Sequence, residues 1–200
     1  MKAAVVALLC ALLPSLASSQ KIGILPFEDA AGVGPAFGEQ VAKFIRSEFL
    51  KNKQFMPKFI QYKPKEDESA SVDVEKAVEI GKKNGVDYVV IGTILEAEAN
   101  SSSSGVGGIS VLGQSVGSSL RTVTASVTIQ GDLVAVATGK LVESFRTDGS
   151  KTDNSVGADV STDWGNVNSD NDAGGNTPNA QALREAVEKL VEQMSERVHQ

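Results

Sequence analysis

Val86–Ala99 reads VDYVVIGTILEAEA. Its first half is a continuous apolar run, as in a strand buried on both faces. Its second half alternates Ala with Glu, as in a strand with one wet face. The residues before it read as a helix: Ser71 or Asp73 can cap a segment whose Val74, Ala77, Val78 and Gly81 share one face, and Asn84-Gly85 stops it. Phe55–Tyr62 is a shorter strand, and Pro57 within it places it towards the sheet edge. Earlier still, Pro35 suits a first helical turn. Phe37, Val41, Phe44, Ile45 and Phe49 then fall at helical spacing and predict a helix over 35–52. Lys21–Glu28 (KIGILPFE) is a short apolar run before the turn-rich Asp29-Ala30-Ala31-Gly32, and predicts a buried first strand. Strand, helix, strand, helix, strand is the order of a sheet covered by helices.

Past Ala99 the pattern changes. Asn100–Gly117 is rich in Ser and Gly, with an apolar centre at Ile109, Val111 and Leu112. Arg121–Gln130 then alternates, with Val123, Ala125, Val127 and Ile129 on one face and Thr122, Thr124, Ser126 and Thr128 on the other, which predicts a half-buried strand. Ala137-Thr138-Gly139-Lys140 turns the chain into a partner strand through about Phe145. These strands extend the sheet in antiparallel fashion, so the fold class is α/β with a mixed sheet. Asp148–Asn179, rich in Asp and Gly, reads as a long loop. The chain closes on a helix over 179–198, opened by Thr177-Pro178-Asn179, with Leu183, Val187, Leu190, Val191, Met194 and Val198 on its dry side. Glu185 and Lys189 form an i,i+4 pair on its wet side.

The chain has 200 residues, 41% hydrophobic and 22% charged, a composition that suits one globular domain. Nineteen Lys+Arg against 25 Asp+Glu leave a net charge of −6, which argues against nucleic acid as a partner. A single His and a single Cys provide neither a zinc site of His and Cys alone nor a disulfide framework. After the first twenty residues no apolar run is long enough for a membrane-spanning helix. Residues 1–19 read as a signal peptide: Lys2 is the positive start, Ala3–Leu13 the apolar stretch, Pro14 its break, and Ser15-Leu16-Ala17 or Ala17-Ser18-Ser19 the cleavage site. Cys10 lies inside the apolar stretch, too early to carry a lipid, so the exported chain is expected without an anchor. Its location is then periplasmic or outer-membrane associated.

No catalytic constellation emerges, and the chain is read as a non-enzyme without cofactor, metal or small-molecule substrate. Gly32, Gly34 and Gly38 follow a strand and precede a helix, but their spacing departs from the dinucleotide fingerprint, and backbone turns explain them better. Asp170-Asn171-Asp172 with Gly174 and Gly175 starts like a calcium loop, yet position five is Gly174 and position twelve is Gln181, so a solvated acidic loop is preferred. The informative stretch is Val156–Trp164. Val156, Ala158, Val160 and Trp164 share one face and polar residues the other, the pattern of a lipid-exposed barrel strand or of chance alternation in a loop. With Ile109, Val111 and Leu112, they are the candidate membrane- or partner-facing hairpin residues.

KIGILPFEDAAG (21–32), GVDYVVIGTILEAEA (85–99), SGVGGISVLGQSVGSSLRTVTASV (104–127) and ATGKLVESF (137–145), taken in that order and spacing, resemble the curli production assembly/transport component family, the outer-membrane secretion channel for curli subunits. They are also similar to the related periplasmic lipoproteins that activate penicillin-binding proteins. The resemblance implies a three-layer αβα sandwich over residues 20–200 and no enzymatic activity. It further implies two sheet-borne hairpins, here about 100–120 and 148–176, which a ring of copies pools into one barrel. Expected partners are further copies of the chain, a secreted or envelope protein and the outer membrane. The alternative is a soluble periplasmic module whose two insertions bind and activate an envelope enzyme such as a peptidoglycan synthase. The family's constriction loop corresponds to Asp29–Gly34, which is short here and has no aromatic residue.

Overall fold

The computed structural model describes residues 19–34, 36–62, 71–105, 109–111, 114–116, 119–156, 164 and 177–198. Along the chain they form β1 (Gln20–Ile24), β2 (Glu28–Asp29), α1 (Phe37–Lys51), β3 (Phe55–Phe59), α2 (Val74–Asn84) and β4 (Tyr88–Gly105). Then follow β5 (Ile109–Val111), β6 (Gln114–Val116), β7 (Ser119–Ala135), β8 (Lys140–Val156) and α3 (Pro178–Val198). The main sheet runs β3-β1-β4-β7-β8, with the short β2 also on β4, and β5 pairs with β6. β1 is parallel to β3 and β4, whereas β4, β7 and β8 form an antiparallel meander. The expected α/β class and mixed sheet are both present.

Helices cover the two faces unequally. α1 and α3 pack on one face over Ile22, Ile24, Val90, Ile94, Val127, Ile129 and Leu133. α2 packs on the other over Leu25, Val89, Ile91, Val134 and Val136. The apolar start of β4 is explained by this sandwiching, since Val89 and Val90 face opposite layers. Between Ile94 and Glu96 the register with β7 slips by one residue. This bulge resets the alternation, so that Ala97 and Ala99 continue the face that Ile94 occupied while Glu96 and Glu98 stay exposed. The sequence changes pattern where the backbone changes phase.

Helix ends follow the expected signals. Asp73 accepts the Lys76 N–H at 2.8 Å, and Gly85 ends α2 in the left-handed region with φ +65°. Thr177 Oγ1 accepts the Ala180 N–H at the start of α3. α3 buries Leu183, Val187, Leu190 and Met194 completely or nearly so. Each such side chain contributes about 1.5–3 kcal/mol of transfer free energy, so the helix is held by its face rather than by propensity.

Three boundaries differ from the sequence reading. The first strand ends at Ile24, where the chain leaves the ladder before pairing again as β2; Leu25 and Phe27 drop into opposite cores in between. β4 continues through the Ser-rich stretch to Gly105, paired residue by residue with β7 as far as Ser119. β8 runs past Phe145 to Val156, paired with β7 as far as Leu120. Residues 148–156 are therefore a strand, not the beginning of a loop.

Candidate functional site

The strands that outrun the core are the distinctive feature of this fold, and α3 fixes where they start. Gly149 lets the helix approach β8 so closely that a Cβ there would lie 1.9 Å from the Ala182 carbonyl oxygen. Beside it the buried Thr147 donates its hydroxyl hydrogen to Ala186 O at 2.9 Å. Lys189 Nζ donates to Asp148 O at 2.8 Å, the Ser150 N–H donates to Glu185 Oε2 at 3.4 Å, and Arg197 pairs with Glu143. α3 thus pins β8 from Glu143 to Ser150.

Those bonds also reveal which way the β8 backbone points. In an antiparallel ladder a residue's N–H and C=O face the same neighbour, and successive residues alternate. Asp148 and Ser150 direct theirs away from β7, to α3 side chains, so Thr152 and Asn154 present theirs outward as well. They stand opposite Thr124 and Thr122 in non-hydrogen-bonded pairs, where side chains come closest. Thr122 Oγ1 donates to Asn154 Oδ1 at 2.8 Å, and the Thr124 and Thr152 hydroxyls lie 3.0 Å apart. The outer edge of β8 is therefore covered by Glu185 and Lys189 at Asp148 and Ser150. Over Thr152 and Asn154 no described residue pairs with it.

The cover is an ion pair. Glu185 and Lys189 meet at 2.9 Å across one helical turn. The Lys189 hydrogen bond, helped by the Ser150 N–H, holds the Glu185 carboxyl below its ordinary value. The reciprocal bond raises the Lys189 ammonium. Both side chains are nearly half exposed, so the pair orients groups at the edge more than it stabilises the fold.

The predicted hairpin residues are distributed unevenly. Val156 is the last residue of β8, opposite Leu120. Ile109 and Val111 lie on β5, opposite Val116 and Gln114 of β6. Leu112, Ala158 and Val160 fall outside the described residues, as does Asp170-Asn171-Asp172. Trp164 is corrected: it is 5% exposed and packs its ring on Phe37 with centroids 5.7 Å apart. A ring in the α1/α3 core is not available to lipid or to a partner. Sequence reading also missed Thr152 and Asn154, whose polar side chains gave no alternation; only their Thr partners on β7 identify the strand.

The glycines after β2 act through backbone geometry. Gly32 and Gly34 have φ of +73° and +145°, and the Gly34 N–H donates to Asp29 Oδ2 at 2.6 Å. In Gly38, the missing Cβ lets α1 touch Phe27, whose N–H donates to Gly38 O at 3.1 Å. Among the described residues no group of three His, Cys, Asp or Glu could hold a metal ion, and no described helix is long and apolar enough to cross a membrane.

Comparison with known proteins agrees with this architecture. The chain is similar to the hypothetical protein CT253 from Chlamydia trachomatis at a TM-score of 0.55 and 12% identity, covering 90% of this chain and 98% of that one. It is also similar to the PelC dodecamer from Paraburkholderia phytofirmans (TM-score 0.46, 12% identity, 89% and 90% covered). A third likeness is to the LpoB C-terminal domain from Salmonella enterica (TM-score 0.39, 12% identity, 66% and 82% covered). None of the curated proteins matches. At these identities the likeness to CT253 concerns the fold alone. The family model described as curli production assembly/transport component CsgG matches residues 65–200. That span runs from before α2 through the β4–β7–β8 meander to the end of α3, more than half of the chain, and the chain belongs to this family.

Proposed function

We propose that the chain is an exported, non-enzymatic component of an envelope export or assembly apparatus, working as a homo-oligomer whose copies meet along the outrunning strands. Residues 1–19 direct export, and the protein acts in the periplasm or at the outer membrane. The observation that carries this reading is the outer edge of β8, seventeen residues long and without proline, with outward backbone groups at Thr152 and Asn154. Open strand edges recruit further strands, and proteins that leave them open without a partner risk aggregation. The family resemblance supports closure into a ring, which removes such edges.

A second reading, a soluble periplasmic interaction module, is favoured by one observation. The outrunning strands offer Asn100, Ser102, Thr124, Thr152 and Asn154 on one face, and on the other exposed Lys151 and Asp153 opposite the buried Ala125 and Val123, so the apolar part of that face stops short of β8. A barrel wall in lipid needs an apolar band about 25 Å tall on one face.

Thr152→Pro separates assembly from folding. It removes one outward N–H and leaves the β7 ladder intact. Native mass spectrometry of the exported protein, with and without detergent, is expected to give multimers for the wild-type chain and single chains for the variant at unchanged melting temperature. Single chains for both across a wide concentration range would remove the oligomeric reading and leave the module.

A further inference from the structure

The opposite edge of the sheet carries a second surface, independent of the proposed assembly edge. Between β3 and α2 lies a groove of about 760 Å³. Lys58 lines it from the strand and Lys76 and Lys83 from the helix, and the half-buried Tyr62 contributes apolar surface next to Phe59 and Ile60, whose side chains pack into the two cores. Glu79, also on the groove, is paired with Lys76 at 3.1 Å. Lys58 and Lys83 have no ion-pair partner among the described residues. Lys58 Nζ instead donates to the Asn84 side chain at 3.1 Å, which holds it over the groove. The groove is a positive site on a chain whose net charge is −6.

Backbone geometry supplies the other half of the site. Ile60 donates its N–H to Ile24 O, and Gln54 O accepts the Gln20 N–H, so even-numbered residues of this strand and its continuation face β1. The backbone polar groups of Phe55, Pro57, Phe59 and Gln61 therefore point away from β1. Pro57 has no N–H to offer and the Phe55 N–H already donates to Asn52 O, which leaves the Phe59 and Gln61 N–H groups facing outward beside the lysines. Proline blocks the beginning of this edge, and no described residue pairs with its end.

We infer that the β3–α2 groove binds an extended acidic peptide segment of a partner protein, which adds as a strand outside Phe59–Gln61 and places carboxylates at Lys58 and Lys83. Two features select this partner. Outward N–H groups at alternate residues match an extended main chain, and the lysines flanking apolar surface match side chains that alternate between acidic and apolar. A compact anion could use the charge but not the strand edge.

The test uses the full exported chain and a fluorescein-labelled ten-residue peptide alternating Glu and Val, read by fluorescence anisotropy at low and high salt. The site is expected to bind this peptide, more weakly at high salt, and not the Lys–Val counterpart. The surface double variant Lys58→Glu with Lys83→Glu is expected to weaken binding at least tenfold. Gln61→Pro, which leaves the charge untouched, is expected to do the same. Hydrogen exchange gives an arm that does not depend on how the proline variant folds: peptide is expected to slow exchange of the Phe59 and Gln61 amides. Absence of binding would overturn the inference. So would unchanged exchange at these amides, or displacement of the peptide by inorganic polyphosphate of equal charge, which would reduce the groove to a general anion surface.

Discussion

Gly149→Ala is the most demanding perturbation of the α3–β8 junction. The new methyl carbon would lie 1.9 Å from Ala182 O and 2.8 Å from Ala186 N, both backbone atoms of α3. No rotamer change relieves such a contact, so the helix must move away from the strand. Overpacking of this kind costs about 1–3 kcal/mol. The shift also separates Thr147 Oγ1 from Ala186 O, and a buried hydroxyl left without its partner costs about 1–3 kcal/mol more. A combined loss of about 4 kcal/mol is a large part of the 5–15 kcal/mol typical of folded domains. For a chain of this length it lowers Tm by about 8–16 °C. Thr147→Val removes the hydrogen bond alone and is expected to cost about 1 kcal/mol. Urea or thermal unfolding followed by circular dichroism measures both. A Gly149→Ala protein melting within a degree or two of wild type would refute the close-approach argument, and a Thr147→Val loss as large as that of Gly149→Ala would assign the effect to the hydroxyl instead.

Other outcomes follow from the same geometry. Glu185→Gln should speed amide exchange at Ser150 at neutral pH, because it removes the carboxylate that accepts that N–H. In the wild-type chain the Glu185 contribution is present above the ordinary carboxylate pKa and lost as pH falls through the lowered folded value; that of Lys189 is present below the ordinary lysine pKa and lost as pH rises through the raised one. Ser150 protection measured by exchange should therefore be flat through neutral pH and fall at the acid end, and a fall centred near neutrality would contradict the assignment. Trp164 is the only tryptophan, so the fluorescence of the native protein should be that of a ring shielded from acrylamide. Trp164→Ala should cost about 3–5 kcal/mol, as truncation of a core aromatic does, and a freely quenched native ring would place it outside the core.

The sequence was most legible where packing repeats along the chain. Phe37, Val41, Phe44, Ile45 and Phe49 identified α1 because one buried stripe recurs at helical spacing, and Val89 and Val90 identified a strand covered on both sides. It was least legible where a strand's partners lie far away in sequence. Residues 148–156 lack an apolar face because Gly149 must admit α3 and because Thr152 and Asn154 meet Thr124 and Thr122, not a core. No local pattern encodes a pairing 28 residues distant. Trp164 was misplaced for the opposite reason: a local alternation over Val156–Trp164 suggested an outward face, whereas Phe37, far away in sequence, supplied its neighbour. Of the candidate surface, sequence supplied the hairpin region, and the fold supplied the edge row at Thr152 and Asn154.

Photo-crosslinking from position 154 in intact envelopes tests the proposed assembly most directly, because Asn154 sits on the outward row of β8. If copies meet along this strand, irradiation of a chain with a photo-reactive residue there yields a ladder of homo-multimers, and Thr152→Pro abolishes it. Only uncrosslinked chains, or adducts to other proteins alone, would contradict the account.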